Sequence, residues 1–199
     1  MAYVLCLIIT DGCITDTGKI SLDMNEKGLL GKVRQVMGSQ HKITLSKHQE
    51  GLYCFHFARA QLVKDLGKLG VLPRKSLNVK FPAVPDASMK DFIRGIFDGD
   101  GSVYFEKRSK NYPVRAVFVS SSREFIEKLE VTLQRLGLPK RAIHEQKTKN
   151  GIHYKIRYSH ENSKKLFEII YYNIQNGGLF MERKYKKFLD GFQQGRSCA

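Results

Sequence analysis

The stretch "FIRGIFDGDGSV" (residues 92–103) is an apolar run that ends in acids and glycines, and "YVLCLIITDGCI" (residues 3–14) repeats it in register. Both stretches read aromatic, aliphatic, any residue, small, aliphatic, apolar, any residue, small, Asp, Gly, any residue, aliphatic. The repeat aligns Asp11 with Asp100. Repetition of this kind, far apart in one chain, predicts a duplicated structural unit.

Small residues recur within the two stretches at helical spacing. Helices over residues 3–11 and 91–100 would place Cys6 and Thr10 on one face of the first helix, and Gly95 and Gly99 on one face of the second. Facing small residues allow two helix backbones to pack unusually close together. We therefore expect these two helices to pack against each other.

Each predicted helix ends at an Asp-Gly pair, so we expect Gly12 and Gly101 to form left-handed caps. The two helix ends would bring Asp11 and Asp100 together. Two carboxylates at the negative ends of two helix dipoles make a hard oxygen site suited to a divalent cation such as Mg²⁺.

Other interpretations of "DGDGS" fit less well. A calcium-binding EF-hand loop beginning at Asp98 would need Gly at its sixth position and an acid at its twelfth, which are Val103 and Ser109. A phosphate-binding loop would need a preceding strand and a following helix. A plain helix end with incidental acids explains one copy but is a poor explanation for two copies in register.

The flanks of the two stretches also repeat. Alternating segments such as "LYCFHF" (residues 52–57) and "IHYKIRY" (residues 152–158) predict strands with one apolar face, the second with a cationic opposite face. Helical segments are expected at about residues 26–37, 59–70, 123–136 and 162–174. The pattern is a duplicated αββαββ unit, with a proline-rich linker at about 71–85 separating subdomains 1–85 and 86–199.

Composition indicates a globular, strongly basic chain. The 199 residues include 34 Lys and Arg against 19 Asp and Glu, a formal charge of +15, which favours a polyanionic partner. The four cysteines form no CxxC pair and no zinc-ligand spacing with the histidines, so spacing predicts no structural zinc site. Without a recognisable signal peptide or membrane span, we expect a soluble, intracellular protein.

The two repeated stretches resemble the signature helices of LAGLIDADG homing endonucleases, and the resemblance extends over nearly the whole chain. It implies an α+β fold, a duplicated αββαββ(α) arrangement. Two saddle-shaped antiparallel sheets would be related by a pseudo-twofold axis at a two-helix interface. Because both signature stretches lie in one chain, the resemblance is to the single-chain, two-motif type and implies a monomer with no obligate protein partner.

The resemblance also implies an activity. Such a protein hydrolyses phosphodiester bonds on both strands of double-stranded DNA across one minor groove, by two-metal chemistry that leaves 3′ overhangs at a long, non-palindromic site. The last acid of each motif maps onto Asp11 and Asp100, which would hold metal with the backbone of Thr10 and Gly99. The implied cofactor is Mg²⁺, with Mn²⁺ as a substitute and Ca²⁺ bound without efficient cleavage.

Further site residues follow from the same resemblance. The pocket around the metal would include the side chains of Lys75, Lys184, Asp23 and Ser121. The first motif departs from the second by having Ile9 in place of Asp98, which makes Asp98 a structural group rather than a metal ligand. DNA contacts are expected on the sheets, from Lys19, Lys42, Lys47, His48 and His56 in the first half and Lys107, Arg108, Lys110, Arg115, Lys147, Lys149, His153, Lys155 and Arg157 in the second.

Three alternatives stay open on the same scaffold. An RNA maturase that helps an intron to fold would share this sequence pattern. A non-cleaving DNA-binding regulator would usually lose the motif acids and add a helix-turn-helix domain. An intein-embedded nuclease would be flanked by splicing blocks, whereas this chain begins at Met1 and ends in "GRSCA", which favours a free-standing protein encoded by an intron or another mobile element.

Overall fold

The computed structural model describes residues 1–71, 80–106, 114–149 and 151–194. Its first seven elements are α1 (Ala2–Thr10), β1 (Gly12–Ile14), β2 (Lys19–Met24), α2 (Lys27–Val36), β3 (Ile43–Leu45), β4 (Tyr53–Ala58) and α3 (Ala60–Lys68). The order is αββαββα, as the repeat predicts. Helices α2 and α3 begin and end within two residues of their predicted bounds.

The second half repeats this order. Its elements are α4 (Asp86–Asp100), β5 (Ser102–Phe105), β6 (Val114–Ser120), α5 (Arg123–Arg135), β7 (His144–Thr148), β8 (Gly151–Tyr158), α6 (His160–Ile170), a 3-10 turn (Ile174–Asn176) and α7 (Glu182–Gln194). The duplicated α+β organisation is therefore confirmed. No helix in the described parts of the chain has the length and apolarity to cross a membrane.

Each half forms one antiparallel sheet of four strands. The strand order is β1-β2-β4-β3 in the first sheet and β5-β6-β8-β7 in the second. In both sheets the two central strands are the longest pair: β2 runs against β4 from Lys19↔Ala58 to Met24↔Tyr53, and β6 runs against β8.

Packing divides the chain into two compact units, Met1–Gly99 and Asp100–Ala199. The sequence repeat instead places the subdomain boundary near residue 85. Almost all of α4 belongs to the first unit by packing, because its glycines contact α1 directly. The predicted boundary near residue 85 separates the two copies of the repeated sequence, not the two packing units, and it stays a prediction.

In the first unit, alternation along the central strands produces the core. Ile20 and Leu22 of β2 and Phe55 of β4 are completely buried on one face of the sheet, together with Leu30 and Val33 of α2. Phe57 is buried beside Phe55, with ring centroids 4.8 Å apart. Phe55 and Phe57 therefore lie in the core, as predicted, whereas Tyr53 on the same face is half-buried, and the opposite face of the sheet carries the polar side chains.

The second unit uses the same alternation. Phe118 of β6 and Ile156 of β8 are fully buried under α5, and Tyr158 is nearly so. Ile152 shares their face but is 40% exposed, because the β7–β8 hairpin extends past the helices at this end. The apolar face predicted for β8 is thus covered only over its C-terminal half.

Side chains of α6 complete the hydrogen bonding of β6. The backbone N–H of Val114 donates to Nδ1 of His160 (3.1 Å), and the N–H of Ala116 donates to the hydroxyl of Ser163 (2.9 Å). Partial burial, followed by the nearby Lys164, lowers the pKa of His160. The neutral imidazole that accepts from Val114 is therefore the favoured form.

The predicted left-handed caps at Gly12 and Gly101 are wrong. Neither glycine is among the described glycines with positive φ. Strand β1 begins at Gly12 itself, and β5 begins directly after Gly101, so the chain passes from helix into extended strand without a reversal. Gly12 is required for a different reason: a Cβ there would lie 2.6 Å from the carbonyl oxygen of Ile8.

Candidate functional site

Helices α1 and α4 approach each other at the small residues predicted from their spacing. A Cβ added to Gly95 would overlap the Cβ of Cys6 and lie 2.8 Å from the carbonyl oxygen of Tyr3. A Cβ added to Gly99 would overlap the hydroxyl of Thr10 and lie 2.5 Å from its Cβ. The predicted close packing of these helices is confirmed at both pairs, and only glycine fits at 95 and 99 without displacement.

Hydrogen bonds reinforce this helix pair. The thiol of Cys6 donates to the backbone carbonyl of Phe92 (2.9 Å), and the hydroxyl of Tyr3 donates to the carboxylate of Asp98 (2.8 Å). The buried guanidinium of Arg94 lies 5.4 Å from the centre of the Tyr3 ring and pairs with Asp91 at 2.7 Å. Asp98 is fully buried in this polar group, which fits a structural role.

The two motif acids occupy matching positions at the helix ends. Asp11 caps α1, its backbone N–H donating to the carbonyl of Leu7 (2.9 Å), and Asp100 is the last residue of α4. Both side chains are exposed. Asp11 directly follows Thr10 and Asp100 directly follows Gly99, the residues at the second close approach. Each carboxylate thus lies at the negative end of a helix dipole, where a cation is favoured.

Two lysines were predicted for the surrounding pocket. Lys184, near the start of α7, is only 5% exposed, and its Nζ donates to the backbone carbonyl of Gly101, the residue after Asp100. It is therefore not an ordinary surface lysine in a Lys-rich helix. Lys75, the other candidate, lies outside the described residues.

Asp23 lies on the polar face of the first sheet. It pairs across the strands with Cys54, and its carboxylate Oδ1 is 3.5 Å from Nε2 of His56. The carboxylate oxygen, the Cys54 sulfur and a ring nitrogen of His56 all lie within 4.8 Å of one another. Burial, followed by the negative charge of Asp23, raises the pKa of the Cys54 thiol. Nothing in the sequence around Cys54 indicates this cluster, because Asp23 comes from another strand.

Ser121 does not occupy the position equivalent to Asp23. It follows the end of β6 and precedes Ser122, whose hydroxyl accepts from the N–H of Phe125 and caps α5. The sequence repeat aligns Cys13 with Ser102. Cys13 pairs with Ser21 and Ser102 pairs with Val117, so Ser21 corresponds to Val117. Two residues further along, Asp23 corresponds to Val119. Ser121 therefore lies two residues beyond the position equivalent to Asp23.

Basic residues predicted to contact DNA in the first unit lie around the polar face of its sheet. Lys19 begins β2, and His56 stands on the same face of β4. The remaining candidates, all exposed, lie just before and just after β3: Lys42, Lys47 and His48.

The second sheet carries a denser cationic face. By register, Arg115 of β6 lies on the same face of the sheet as Lys155 and Arg157 of β8. His153, two residues before Lys155, lies on this face as well. Arg115 pairs with Glu106 at 2.6 Å, and Lys155 donates to the side-chain oxygen of Gln146. This face is the cationic one predicted from "IHYKIRY".

Other predicted DNA contacts of the second half are arranged differently. Lys147 pairs with Ile152, so its side chain leaves the sheet on the face opposite His153 and Lys155, and Lys149 lies in the turn that follows β7. Lys107, Arg108 and Lys110 lie outside the described residues.

Comparison with known proteins agrees with this architecture. Residues 88–171 match the family model of a LAGLIDADG-like domain. The sequence has no match among curated proteins. The family match covers α4 from residue 88 onward and all four strands of the second sheet, and therefore includes the second signature stretch.

Solved structures with similar folds include two determined with DNA. The homing endonuclease I-DmoI in complex with DNA and Mn has a TM-score of 0.56 at 17% identity, over 85% of this chain and 94% of that one. The LAGLIDADG meganuclease I-AabMI bound to uncleaved DNA has a TM-score of 0.56 at 11% identity, over 97% and 89%. The N-terminal LAGLIDADG domain of DUF199/WhiA is similar to the same degree, with a TM-score of 0.57 at 14% identity, over 85% and 79%.

These matches define an α+β protein of the two-domain LAGLIDADG fold. Paired helices and two four-stranded antiparallel sheets are the features shared with the homing endonuclease structures. The family match places a LAGLIDADG-like domain at residues 88–171, within the second half of the chain.

Proposed function

We propose that this protein is a homing endonuclease that hydrolyses both strands of double-stranded DNA with a divalent metal. The observation that carries the proposal is the placement of Asp11 and Asp100, each one residue beyond the point where α1 and α4 are in closest contact. A scaffold that only bound DNA would have no need for exposed acids at both helix ends of a basic chain.

The chemistry of these residues fits a hard divalent cation. Carboxylates and backbone carbonyls are the ligands that Mg²⁺ prefers, and the last carbonyls of a helix have no partner within the helix. We propose that Asp11 and Asp100 hold Mg²⁺ with the backbone carbonyls of Thr10 and Gly99. The bound metal would neutralise phosphate charge and lower the pKa of bound water.

Other side chains would support the reaction. Lys184 is held in a buried position beside the residue that follows Asp100, which is a suitable place for a fixed positive charge near a phosphate. Lys75 and Ser121 stay proposals from the family resemblance. Asp23 directly follows Leu22, the strand partner of Gly12, and shares its surroundings with Cys54 and His56; its role in the pocket beside Asp11 stays a proposal from the family resemblance.

The polar sheet faces supply the cations that DNA binding requires. Arg115, Lys155 and Arg157 share one face of the second sheet, and Lys19 and His56 share one face of the first. Long basic side chains in alternate positions on a strand contact phosphates and base edges in the major groove. Because the two faces differ, we propose a long, non-palindromic target, cut across the minor groove to leave 3′ overhangs.

The remaining proposals follow from the family resemblance. A chain with both signature helices would act as a monomer, inside a cell, and would be encoded by an intron or another mobile element. Among other divalent metals, Mn²⁺ would support cleavage, and Ca²⁺ would allow binding without efficient cleavage. I-DmoI structures with DNA and Mn or Ca are consistent with this choice of metals.

A randomised duplex library tests the proposal directly. The purified chain is incubated with the library and Mg²⁺, and molecules cut on both strands are ligated to adaptors and sequenced. Enrichment of one long asymmetric site with 3′ overhangs is expected. Selection of bound but uncut molecules, with no cleavage in Mg²⁺ or Mn²⁺, would contradict the proposal.

A DNA-binding protein without nuclease activity is the second candidate. It is favoured by the similarity to the DUF199/WhiA domain, whose TM-score of 0.57 is no lower than that of I-DmoI. The fold alone therefore does not choose between the two functions. The library distinguishes them, because this candidate predicts enrichment of a bound sequence and no cut ends.

A further inference from the structure

A cluster of potential metal ligands lies on the polar face of the first sheet. Asp23 of β2 and Cys54 of β4 are directly opposite each other, and His56 stands two residues further along the same face of β4. Their ligand atoms all lie within 4.8 Å of one another. Thiolate, imidazole and carboxylate are the three side-chain types that bind Zn²⁺ in proteins.

One oxygen of this cluster is poorly satisfied by the protein. Oδ1 of Asp23 is buried, yet within the described parts of the chain no hydrogen-bond donor reaches it. The nearest nitrogen, Nε2 of His56, is 3.5 Å away, beyond the usual length of an N–H···O bond. A buried carboxylate oxygen without a donor is costly, and a cation bound to it would remove that cost.

We propose that Asp23, Cys54 and His56 form a site for a borderline-soft divalent cation such as Zn²⁺. Donor atoms of a tetrahedral zinc site lie roughly 3.5 Å apart, given metal–ligand bonds of about 2.0 to 2.3 Å. The side chains of Asp23 and His56 are 39% and 40% exposed, so both are free to rotate by the small amount that brings the donors to this separation. Cys54 is 8% exposed and lies under them.

The site is chemically distinct from the acids at the helix ends. Asp11 and Asp100 offer only hard oxygen ligands, which suit Mg²⁺, whereas a sulfur and an imidazole nitrogen favour Zn²⁺ over Mg²⁺. The inference shares Asp23 and His56 with the proposed nuclease, but it concerns another class of metal and its test measures metal binding rather than cleavage, so the two proposals can fail separately. Binding converts the Cys54 thiol to a thiolate and releases its proton to solvent.

The second sheet has no equivalent of this cluster. By register, the positions of Asp23, Cys54 and His56 correspond to Val119, Lys155 and Arg157, of which none is a zinc ligand. The three donors are therefore a property of the first unit and not of the scaffold. A cation bound there would link β2 to β4 and add positive charge to a sheet face that has fewer basic residues than its counterpart.

Sequence spacing predicts no such site, because the ligands come from two strands. Zinc motifs recognised from sequence place at least two ligands a few residues apart in a turn. Here Cys54 and His56 are adjacent on one face of a strand, and the third ligand is supplied by antiparallel pairing.

Cobalt is the probe for the test, because a thiolate bound to Co²⁺ gives a near-ultraviolet charge-transfer band. The full-length chain is stripped with a chelator and titrated with Co²⁺, and Zn²⁺ is then added. We expect a band that saturates at one equivalent and is abolished by Zn²⁺. Cys54→Ser should remove the band, and His56→Gln and Asp23→Asn should each weaken Co²⁺ binding by at least about tenfold, with circular dichroism verifying folding.

Two controls keep the inference falsifiable. Cys13→Ser changes an exposed cysteine of β1 and should leave the band unchanged. The double variant Asp11→Asn, Asp100→Asn should also retain it, which separates this site from the helix ends. A band that is absent from the parent protein, that survives Cys54→Ser, or that is lost in Cys13→Ser would overturn the proposal.

Discussion

The hydroxyl of Tyr3 donates a 2.8 Å hydrogen bond to the carboxylate of Asp98, and so joins the first signature helix to the second. Asp98 is fully buried, whereas Asp100, two residues later, is exposed. The two acids of the DGD sequence are therefore in opposite environments. Asp98 stabilises the helix pair, whereas Asp100 lies at the surface at the end of α4.

Removing the Tyr3 hydroxyl tests the structural role of Asp98. Tyr3→Phe deletes one donor to a buried carboxylate, and we expect the free energy of unfolding to fall by about 1 to 3 kcal/mol. Urea denaturation measures the change. Tyr104→Phe, at a position 39% exposed, is the control and should have little effect. A loss in Tyr3→Phe no greater than in Tyr104→Phe would contradict this role.

Substitution of the glycines at the helix contact should be strongly destabilising. Gly95→Ala places a methyl group against Cys6 and the backbone of Tyr3, so we expect a loss of at least about 2 kcal/mol. Gly31→Ala in α2 is the matched control, because nothing lies within 4 Å of its added Cβ. That control should stabilise the protein by about 0.5 to 1 kcal/mol through helix propensity. Equal effects of the two substitutions on thermal unfolding would exclude close packing at Gly95.

Loss of either motif acid should reduce DNA cleavage far more than DNA binding. With the target obtained from the library, Asp11→Asn or Asp100→Asn should slow double-strand cleavage in Mg²⁺ by at least about a hundredfold, since several kcal/mol of charge stabilisation are lost. DNA binding in Ca²⁺, measured by fluorescence anisotropy, should change little. Asp86→Asn, at the opposite end of α4, is the charge-matched control. Full cleavage by either motif variant would refute the assignment of the metal ligands.

The cationic face of the second sheet should determine the salt dependence of DNA binding. Lys155→Ala should weaken DNA binding. If Lys155 contacts one phosphate, the magnitude of the slope of log affinity against log salt concentration should fall by about 0.9. Lys128→Ala removes an exposed lysine of α5, which pairs with Glu124 on the helical side of the unit, and should leave the slope unchanged. Identical slopes for the parent protein and Lys155→Ala would show that this face does not contact phosphate.

Acid should destabilise the protein partly through His160. Its pKa is lowered in the folded state, chiefly by burial, so below about 6.5 the unfolded chain binds more protons than the folded one. Stability from this group is therefore present at neutral pH and is lost as the pH falls. His160→Asn keeps an acceptor for the N–H of Val114 but cannot be protonated. Between pH 7 and about pH 5, the melting temperature of His160→Asn should fall less than that of the parent protein. An equal fall in both proteins would show that His160 does not contribute to acid destabilisation.

Much of the fold was predictable because its signals are local and repeated. Period-two alternation in "LYCFHF" and "IHYKIRY" identified the central strands, and their inner faces are the cores of the two units. Small residues at i and i+4 identified the contact of α1 with α4, because a close approach excludes side chains at Gly95 and Gly99. Where local patterns met no competing interaction, the predictions were confirmed.

The errors occurred where a residue's environment depends on distant partners. Gly12 and Gly101 have the sequence of helix caps, but the strands that begin beside them require an extended chain. Asp23 and Ser121 were both placed at the end of a second strand, but the pairing register makes Val119, two residues before Ser121, the equivalent of Asp23. The face that Lys147 occupies, opposite His153, is likewise set by its pairing with Ile152 and is not given by its own strand alone.

By itself, the sequence determined the duplicated α+β unit, the two signature helices and their terminal acids, because periodicity and small-residue spacing act within one element. Only the tertiary structure decided which side chains meet across elements. Burial separated Asp98 from Asp100, α7 brought Lys184 to the carbonyl of Gly101, and antiparallel pairing of β2 with β4 assembled Asp23, Cys54 and His56. Each of these depends on strand register or helix docking, which are set by long-range packing and have no local signature in the chain.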